Sequence, residues 1–274
     1  MTTSKVWFIT GASRGFGRIW VEAALARGDS VAAAVRKTAA LDDLARQYPD
    51  TLQVLSLDVT DRDGVARAVA EAAARFGRLD VVLNNAGHGC MGAVEEVAAE
   101  DVRATFETNV FGSLWVIQAA LPLLREQGFG HILQMSSVAG VVALPTAGIY
   151  EGAKFAVEGI VEALAGEVER FGIKVTLIEP AGYATSFLEG PTMKQAPEIA
   201  AYNVVREELA ERLTADQLGD PRATVPAILK LVDSDKPPLR LILGDLLPLV
   251  KDIYADRIRT WESWEDVSKA ALRL

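Results

Sequence analysis

The segment VWFITGASRGFG, residues 6–17, decides how the rest of the chain is interpreted. Val6–Thr10 is a short run of β-branched and aromatic side chains, which is typical of a buried strand. A helical stretch from Arg18 to Arg27 comes after the segment. The turn between strand and helix holds three glycines: Gly11, Gly15 and Gly17. Because glycines let a backbone approach a pyrophosphate at a helix N-terminus, this unit predicts a dinucleotide site. The alternative is an ordinary turn in which the glycines contact no ligand.

Strands and helices alternate along the chain, which predicts an α/β fold with a doubly wound, Rossmann-type sheet of seven parallel strands. Helices would cover both faces, and residues 1–274 would form one domain. The strands are predicted at Val6–Thr10, Ser30–Val35, Leu52–Leu57, Asp80–Leu83, His131–Met135, Lys174–Glu179 and Leu239–Leu243. The later helices are predicted at Asp61–Phe76, Ala99–Gln127, from before Tyr150 to about Phe171, and at Arg222–Val232.

The second strand ends in two basic residues, Arg36 and Lys37. In dinucleotide-binding folds an acidic residue at this position hydrogen-bonds the ribose 2′-hydroxyl, whereas a basic one meets a 2′-phosphate. Arg14 in the glycine turn can supply a second cation. The sequence therefore favours NADP(H) over NAD(H), and the alternative is a pair of solvated cations at a strand end.

Polar and small residues also follow the third and fourth strands. Asp58-Val59 ends the third, and Asn84-Asn85-Ala86-Gly87 ends the fourth. In open α/β sheets, ligands bind beyond the carboxyl ends of the strands, so these residues are expected at the same crevice as the glycine turn. Asn109 lies inside the long predicted helix, where Asn is unfavourable. It therefore predicts a kink or a polar role there, or else a surface Asn.

The fifth strand leads into Ser136-Ser137, and Tyr150 and Lys154 follow one helical turn apart. A cation beside a phenol favours the phenolate and lowers the pKa of the tyrosine, which would create an acid–base group. A serine hydroxyl nearby can hydrogen-bond a substrate oxygen. The alternative is an amphipathic helix that exposes Tyr150 and Lys154 to solvent.

Composition limits the possible functions. The 274 residues are half hydrophobic and carry a net charge of −9, so a large core is available and neither nucleic acid nor an anionic membrane is an expected partner. One Cys and two His are too few for a His/Cys metal cluster, and no metal is expected. The single Cys allows no intrachain disulfide, which predicts a cytoplasmic location. Val6–Ile9 is too short for a signal-peptide core or a membrane span.

Taken together, these motifs resemble the short-chain dehydrogenase/reductase family in its shorter, single-domain branch, and the resemblance covers nearly the whole chain. Thr10-Gly11 to Gly17 is similar to the family's cofactor loop, and Asn84–Gly87 is similar to its strand-four motif. The resemblance implies a catalytic tetrad of Asn109, Ser137, Tyr150 and Lys154.

The resemblance implies a mechanism for carbonyl reduction. Ser137 would hold the substrate oxygen and Tyr150 would donate the proton. Lys154 would bind the nicotinamide ribose and lower the Tyr150 pKa, while Asn109 would keep a water in a proton relay. The expected cofactor-binding residues are Gly11, Ser13, Arg14, Gly15, Phe16, Gly17, Arg36, Asp58, Val59, Asn85, Ala86, Gly87, Tyr150, Lys154, Pro180, Gly182 and Thr185.

The substrate region is expected after the sixth strand. Residues 183–215 lack a clear period, resemble the family's variable substrate loop and predict a lid. Substrate contacts are expected from His88, Val138, Leu144, Tyr183 and Phe187, with Cys90, Val142, Leu188 and Met193 as further candidates. Plain packing is the alternative for each of them. An apolar pocket of this kind predicts a lipophilic ketone or alcohol.

The tail, residues 244–274, carries Trp261 and Trp264 three positions apart, on one helix face. They would cover the pocket, join a subunit interface or pack on the core, and core packing is the expectation. The resemblance also implies a homodimer or homotetramer, built through the two long helices. Five apolar residues of the later helix would then serve the interface, or else face the sheet: Ala156, Val157, Ile160, Val161 and Leu164.

The sequence thus predicts an NADP(H)-dependent oxidoreductase that reduces a lipophilic ketone to an alcohol or runs the reverse reaction. A second enzymatic hypothesis is an epimerase or dehydratase on the same fold. These relatives tend to have a larger C-terminal substrate domain, for which this chain has little room. A third hypothesis is a non-catalytic NADP(H)-binding regulator, but such proteins commonly lose the Tyr or the Lys, and both are present here.

Overall fold

The computed structural model describes residues 4–187, 192–212 and 218–272. At its centre lies a seven-stranded parallel sheet in the order β3-β2-β1-β4-β6-β7-β9. The predicted doubly wound sheet is confirmed. The strands are β1 (Val6–Thr10), β2 (Ser30–Val35), β3 (Leu52–Ser56), β4 (Val81–Asn84), β5 (Gly89–Met91), β6 (Gly130–Met135), β7 (Ile173–Pro180), β8 (Met193–Gln195) and β9 (Arg240–Leu243).

Helices cover both faces of the sheet. They are α1 (Gly15–Ala26), α2 (Asp42–Gln47), α3 (Arg62–Phe76), α4 (Ala99–Phe106), α5 (Ser113–Gln127), α6 (Gly148–Val168), α7 (Asn203–Arg212), α8 (Val225–Asp233), α9 (Leu247–Ser263) and α10 (Glu265–Ala270). Helix α1 begins three residues before the predicted Arg18, because the glycine turn itself forms the first helical residues.

Two hydrophobic cores lie on opposite faces of the sheet, and β1 contributes to both. Phe8 packs in the core beneath α3, α5 and α6, while Trp7 and Ile9 pack in the core beneath α1 and α8. All five residues of β1 are buried, as expected for a central parallel strand. Trp20 of α1 donates from its indole Nε1 to the Thr224 hydroxyl at 2.9 Å, which ties α1 to the turn before α8.

The predicted helix Ala99–Gln127 is present, but its α-helical hydrogen bonding is interrupted in the middle. Between α4 and α5, residues Glu107–Gly112 form a π-helical segment that contains Asn109. Asn109 is 1 % exposed, so the surface alternative is wrong and the interpretation as an irregularity with a polar role is confirmed. The extra residue in a π turn changes which side chains face the sheet.

The segment expected to be a lid contains short regular elements. Strand β8 pairs in parallel with β5, and these two form a second, two-stranded sheet. Helix α7 follows β8 after a short 3₁₀ turn, Ala200–Tyr202. The candidate Leu188 lies outside the described residues.

The first half of the C-terminal tail packs against the segment that follows β6, and the second half is exposed. Val250 and Ile253 of α9 pack against Val138, Val141 and Val142. The expectation that Trp261 and Trp264 pack in the core is wrong, because they are 67 % and 63 % exposed.

Helix α6 uses most of its predicted apolar residues for the core. Val157, Val161 and Leu164 are buried against the sheet, whereas Ile160 is 36 % exposed. The alternative in which these residues face the sheet is therefore correct for the three buried ones. Among the residues described, no helix combines the length and apolar character that a membrane span requires.

Candidate active site

A cavity of about 670 Å³ opens at the carboxyl ends of the strands, where ligand crevices of open α/β sheets occur. It is lined by residues from both ends of the predicted site, so the glycine turn and the Ser–Tyr–Lys group share one space. Of the predicted cofactor and substrate residues, it contacts Gly11, Ser13, Arg14, Gly15, Phe16, Arg36, Asp58, Val59, Asn85, Ala86, Gly87, His88, Ser137, Val138, Leu144, Tyr150, Lys154, Pro180, Gly182, Tyr183, Thr185 and Phe187.

Gly17 is a predicted cofactor-binding residue that does not line the cavity, and it has a packing role. A Cβ atom on Gly17 would lie 2.5 Å from both the Asn85 side-chain nitrogen and the Gly11 carbonyl oxygen. Gly11 has a φ of +66°, and a Cβ there would lie 2.8 Å from the Ala86 Cα. Glycine at these two positions therefore lets α1 and the β4 end approach each other closely.

Asn85 holds the glycine turn in shape. Its side-chain nitrogen donates to the carbonyl oxygens of Thr10 and Gly11, at 3.1 and 3.0 Å. The Thr10 hydroxyl in turn accepts from the backbone N–H groups of Asn85 and Ala86. The strand-four motif predicted as a ligand contact thus also positions the turn that would contact the ligand.

The phosphate end of the cavity is rich in positive potential. Arg14 is the N-cap residue of α1, and its side chain makes no capping hydrogen bond to that helix. Uncapped N–H groups and the helix dipole attract an anion. Arg36 is exposed at the end of β2, and within the described residues neither Arg14 nor Arg36 forms an ion pair. Both guanidinium groups are therefore available to an anionic ligand.

The reactive end brings together Ser137, Tyr150 and Lys154. The Ser137 hydroxyl, just past β6, accepts from the Ala139 N–H at 3.1 Å. Lys154 is 5 % exposed, and its ammonium donates to the Met135 carbonyl oxygen at 3.0 Å and lies 5.7 Å from the centre of the Tyr150 ring. The alternative of a solvent-exposed helix face is therefore wrong.

Burial determines the protonation of this group. It raises the pKa of Tyr150 to about 12, while contact with the Ser137 hydroxyl opposes that rise. Burial also lowers the pKa of Lys154 to about 8, and the nearby Glu158 carboxylate opposes that fall. On balance the pKa of Tyr150 is raised rather than lowered, because burial is the largest cause, and the lowering expected from Lys154 itself stays a prediction. With protein groups alone, Tyr150 is a phenol at neutral pH, which is the form that donates a proton.

Asn109, the remaining member of the predicted tetrad, does not line the cavity. Its side-chain oxygen accepts from the His88 N–H at 3.0 Å, and its side-chain nitrogen donates to the His88 carbonyl oxygen at 2.8 Å. The amide therefore clamps the chain just after the strand-four motif. The π segment supplies this clamp, and the role of Asn109 in a proton relay stays a prediction.

The substrate end is mostly apolar. Phe187 of the lid lies with its ring centre 5.8 Å from that of Tyr150, and Tyr183 packs edge-on against Phe16 at 5.2 Å. Cys90 is buried but does not line the cavity. Sequence reasoning missed five lining residues: Met91, Glu151, Leu209, Leu246 and Leu249. The first two adjoin predicted site residues, whereas the three leucines come from segments whose docking no local pattern reveals.

A nicotinamide dinucleotide fits this set of residues. The glycine turn leaves a cradle that Cβ atoms would fill. The N-terminus of α1 lies beside this cradle, with two arginines that form no ion pair with any residue the structure describes. The cavity volume is typical of a cofactor-binding cleft. Such a cofactor carries a hydride to or from a substrate carbon. Among the described residues, no group of three or more His, Cys, Asp or Glu side chains is placed to hold a metal ion.

The fold and the site together define a dinucleotide-binding oxidoreductase. The chain belongs to the short chain dehydrogenase family, whose model matches residues 5–195.

Relatives and solved structures agree with this assignment. The oxidoreductase BOA17 of Botryotinia fuckeliana is 40 % identical over 98 % of this chain and 99 % of its own length. A 3-ketodihydrosphingosine reductase of Bacteroides thetaiotaomicron is 34 % identical over 98 % of this chain and 97 % of its own. A short-chain dehydrogenase structure from Streptomyces avermitilis has a TM-score of 0.90 and 39 % identity, and covers 97 % of this chain and 98 % of its own.

The comparisons also support a nicotinamide cofactor. A short chain dehydrogenase from Burkholderia cenocepacia, solved in complex with NADP, has a TM-score of 0.74 and 26 % identity. The match covers 95 % of this chain and 97 % of that one.

Proposed function

We propose that this protein is an NADP(H)-dependent reductase that converts a lipophilic ketone into a secondary alcohol. The observation that carries the proposal is the meeting of Ser137, Tyr150 and Lys154 with the glycine turn around one cavity. A hydride donor and a proton donor must lie together for carbonyl reduction, and the residues around this cavity are suited to hold the first and to supply the second.

The preference for NADP(H) rests on Arg36 and Arg14. Both line the cavity, neither is neutralised by a described carboxylate, and they flank the end of β2, where an adenosine ribose binds in this fold. A guanidinium forms bidentate hydrogen bonds with a phosphate, which a 2′-hydroxyl cannot offer. NAD(H) would leave these charges unused.

In the proposed reaction, the Ser137 hydroxyl donates to the carbonyl oxygen of the substrate. Tyr150, a phenol at neutral pH because burial raises its pKa to about 12, passes its proton to the same oxygen. A nicotinamide cofactor, when bound, would supply the hydride for the carbonyl carbon. Lys154 would hold the nicotinamide ribose, and its positive charge would stabilise the phenolate that remains on Tyr150. In the oxidative direction Tyr150 accepts the proton.

The substrate is proposed to be lipophilic because apolar side chains from four separate elements line the reactive end of the cavity. They are Val138, Leu144, Phe187, Met193, Leu246 and Leu249. A 3-keto lipid reductase among the relatives supports a ketone with a large apolar body.

Two alternatives make different predictions. A non-catalytic NADP(H)-binding regulator would bind the cofactor without turnover, and an epimerase or dehydratase would release an isomerised or dehydrated product with no net change in NADPH. The intact Ser137, Tyr150 and Lys154 favour the reductase.

The test is the loss of NADPH absorbance at 340 nm with a panel of aliphatic and aryl ketones, run in both directions. The proposal expects turnover that rises with the length of the apolar chain. Tight NADPH binding with no turnover of any ketone or alcohol would contradict it and favour the regulator.

A further inference from the structure

Glu151 is a buried acid in the wall of the active-site cavity that the proposed mechanism does not use. It follows Tyr150 in the first turn of α6, lines the cavity and is 4 % exposed. A buried carboxylate is expected to be paired or fully hydrogen-bonded. Its surroundings therefore show what it is suited to bind.

Only half of this carboxylate is satisfied by the protein. One oxygen, Oε1, accepts from the Leu144 N–H at 2.8 Å. The other, Oε2, is buried and has no hydrogen-bond partner among the described residues. Burial accordingly raises the pKa of Glu151 to about 7, opposed by the Leu144 hydrogen bond. The Leu144 bond fixes the side chain, and Oε2 stays without a protein donor in the part of the chain that the structure describes.

The cations that line the same cavity are committed elsewhere. Lys154 donates to the Met135 carbonyl oxygen, and Lys194 pairs with Asp101 at 3.0 Å. Arg14 and Arg36 lie at the phosphate end. At the substrate end, Glu151 therefore lacks a cationic partner in the part of the chain that the structure describes.

The charge of Glu151 acts directly on the reacting group. It raises the pKa of Tyr150, so it opposes the formation of the phenolate that remains after Tyr150 gives up its proton. A positive charge placed at Glu151 would cancel that opposition. A neutral hydroxyl could satisfy Oε2 but would leave the charge in place.

From these contacts we infer that Glu151 is a specificity-determining residue that binds a protonated amino group next to the carbonyl of the substrate. The inference rests on the proposed ketone reduction and names the substrate class: a lipophilic amino ketone. The ammonium would donate to Oε2, the carbonyl oxygen would face Ser137 and Tyr150, and the apolar body would lie against the walls contributed by the lid and α9.

The experiment compares three ketones of one carbon skeleton: octan-3-one, 2-(methylamino)octan-3-one and 2-hydroxyoctan-3-one. NADPH oxidation is measured with the wild type and with Glu151→Gln, whose amide oxygen can still accept from Leu144. Glu162→Gln is the control, because it removes one negative charge from the same helix at a side chain that is 59 % exposed.

A buried charged hydrogen bond predicts a kcat/KM for the amino ketone at least ~10-fold above that for octan-3-one in the wild type. Glu151→Gln should bring that ratio to about one, whatever its effect on the rate with octan-3-one, and Glu162→Gln should keep the ratio of the wild type. A wild-type ratio near one, a ratio that Glu151→Gln leaves unchanged, or a preference for the hydroxy ketone would each overturn the inference.

If no ketone is reduced, the proposed function fails and the inference is decided by binding. Calorimetry then measures octan-2-amine against each protein in the presence of NADPH. Binding at least ~10-fold tighter to the wild type than to Glu151→Gln supports the ammonium site, and equal or absent binding overturns it.

Discussion

Glu179, at the carboxyl end of β7, is the basis of a stability prediction. Its side chain is 1 % exposed, and its Oε1 lies 3.4 Å from the Arg240 guanidinium. Arg240 also hydrogen-bonds Glu158 at 3.0 Å and Glu162 at 2.8 Å, so one cation faces three carboxylates. Burial, followed by repulsion from Glu158, raises the pKa of Glu179 to about 7.

The magnitude follows from that shift. An ordinary glutamate has a pKa of 4.5, so ionising Glu179 in the folded protein costs about 3 kcal/mol more than in the unfolded chain. The folded state therefore binds the proton more tightly. The stability linked to that proton is fully present below pH 4.5 and is lost as the pH rises through about 7.

Glu179→Gln removes this ionisation. At pH 8 we expect the free energy of unfolding of the variant to exceed that of the wild type by about 1 to 3 kcal/mol, so that the variant unfolds at a higher urea concentration. At pH 5 this difference should disappear. Tryptophan fluorescence reports the unfolding. Glu162→Gln, whose side chain is 59 % exposed, should differ from the wild type by less than about 1 kcal/mol at both pH values. A Glu179→Gln variant that is less stable at pH 8, or equally shifted at pH 5 and pH 8, would refute the reasoning.

Two further predictions concern cofactor choice and the lid. Arg36→Asp should lower kcat/KM for NADPH by ~10-fold or more and leave kcat/KM for NADH unchanged or higher, because a carboxylate repels a 2′-phosphate and accepts a hydrogen bond from a 2′-hydroxyl. A retained preference for NADPH would contradict the assignment. Glu96 is bound by the Arg206 guanidinium and by the Ile199 N–H, contacts that lower its pKa to about 2 and tie the lid to the loop after β5. Glu96→Gln should therefore raise KM for a long-chain ketone several-fold with kcat little changed. Glu198→Gln is the control, because its exposed carboxylate lies 3.7 Å from Arg206, and it should leave KM unchanged. Equal KM values in the two variants would argue against this tie.

The sheet was predictable because its signals are local. A buried parallel strand is an uninterrupted apolar run, and a glycine or a polar residue marks where it ends. Val6–Thr10 and Ser30–Val35 have the bounds that the sequence predicts. Strand alternation with helices then leaves one topology class, and the position of the glycine turn follows from it.

The rest depends on contacts between distant segments. Strand β8 forms by pairing with β5, about a hundred residues earlier in the chain. Each of these strands is three residues long, which is too short to show a strand pattern in the sequence. The π segment is held by the bonds of Asn109 to the His88 backbone, which no helical periodicity reveals. The exposed Trp261 and Trp264 show the opposite error, since aromatic content alone suggested burial.

The reversed pKa of Tyr150 has a similar origin. From sequence, the spacing to Lys154 indicates a nearby cation, but the depth of the side chain is invisible. The structure shows that the Lys154 ammonium donates to the Met135 carbonyl oxygen and that burial raises the pKa of Tyr150. Protonation at the site is therefore set by packing, which only the folded chain defines.

The most direct test of the central claim is Tyr150→Phe. The substitution removes the phenol oxygen and keeps the ring that lies 5.8 Å from Phe187, so NADPH binding, measured by fluorescence, should stay close to that of the wild type. Turnover of the best ketone should fall by about 10²- to 10⁴-fold, the range that a lost general acid accounts for. A variant that binds NADPH normally and still reduces the ketone at a rate near the wild type would contradict Tyr150 as the proton donor.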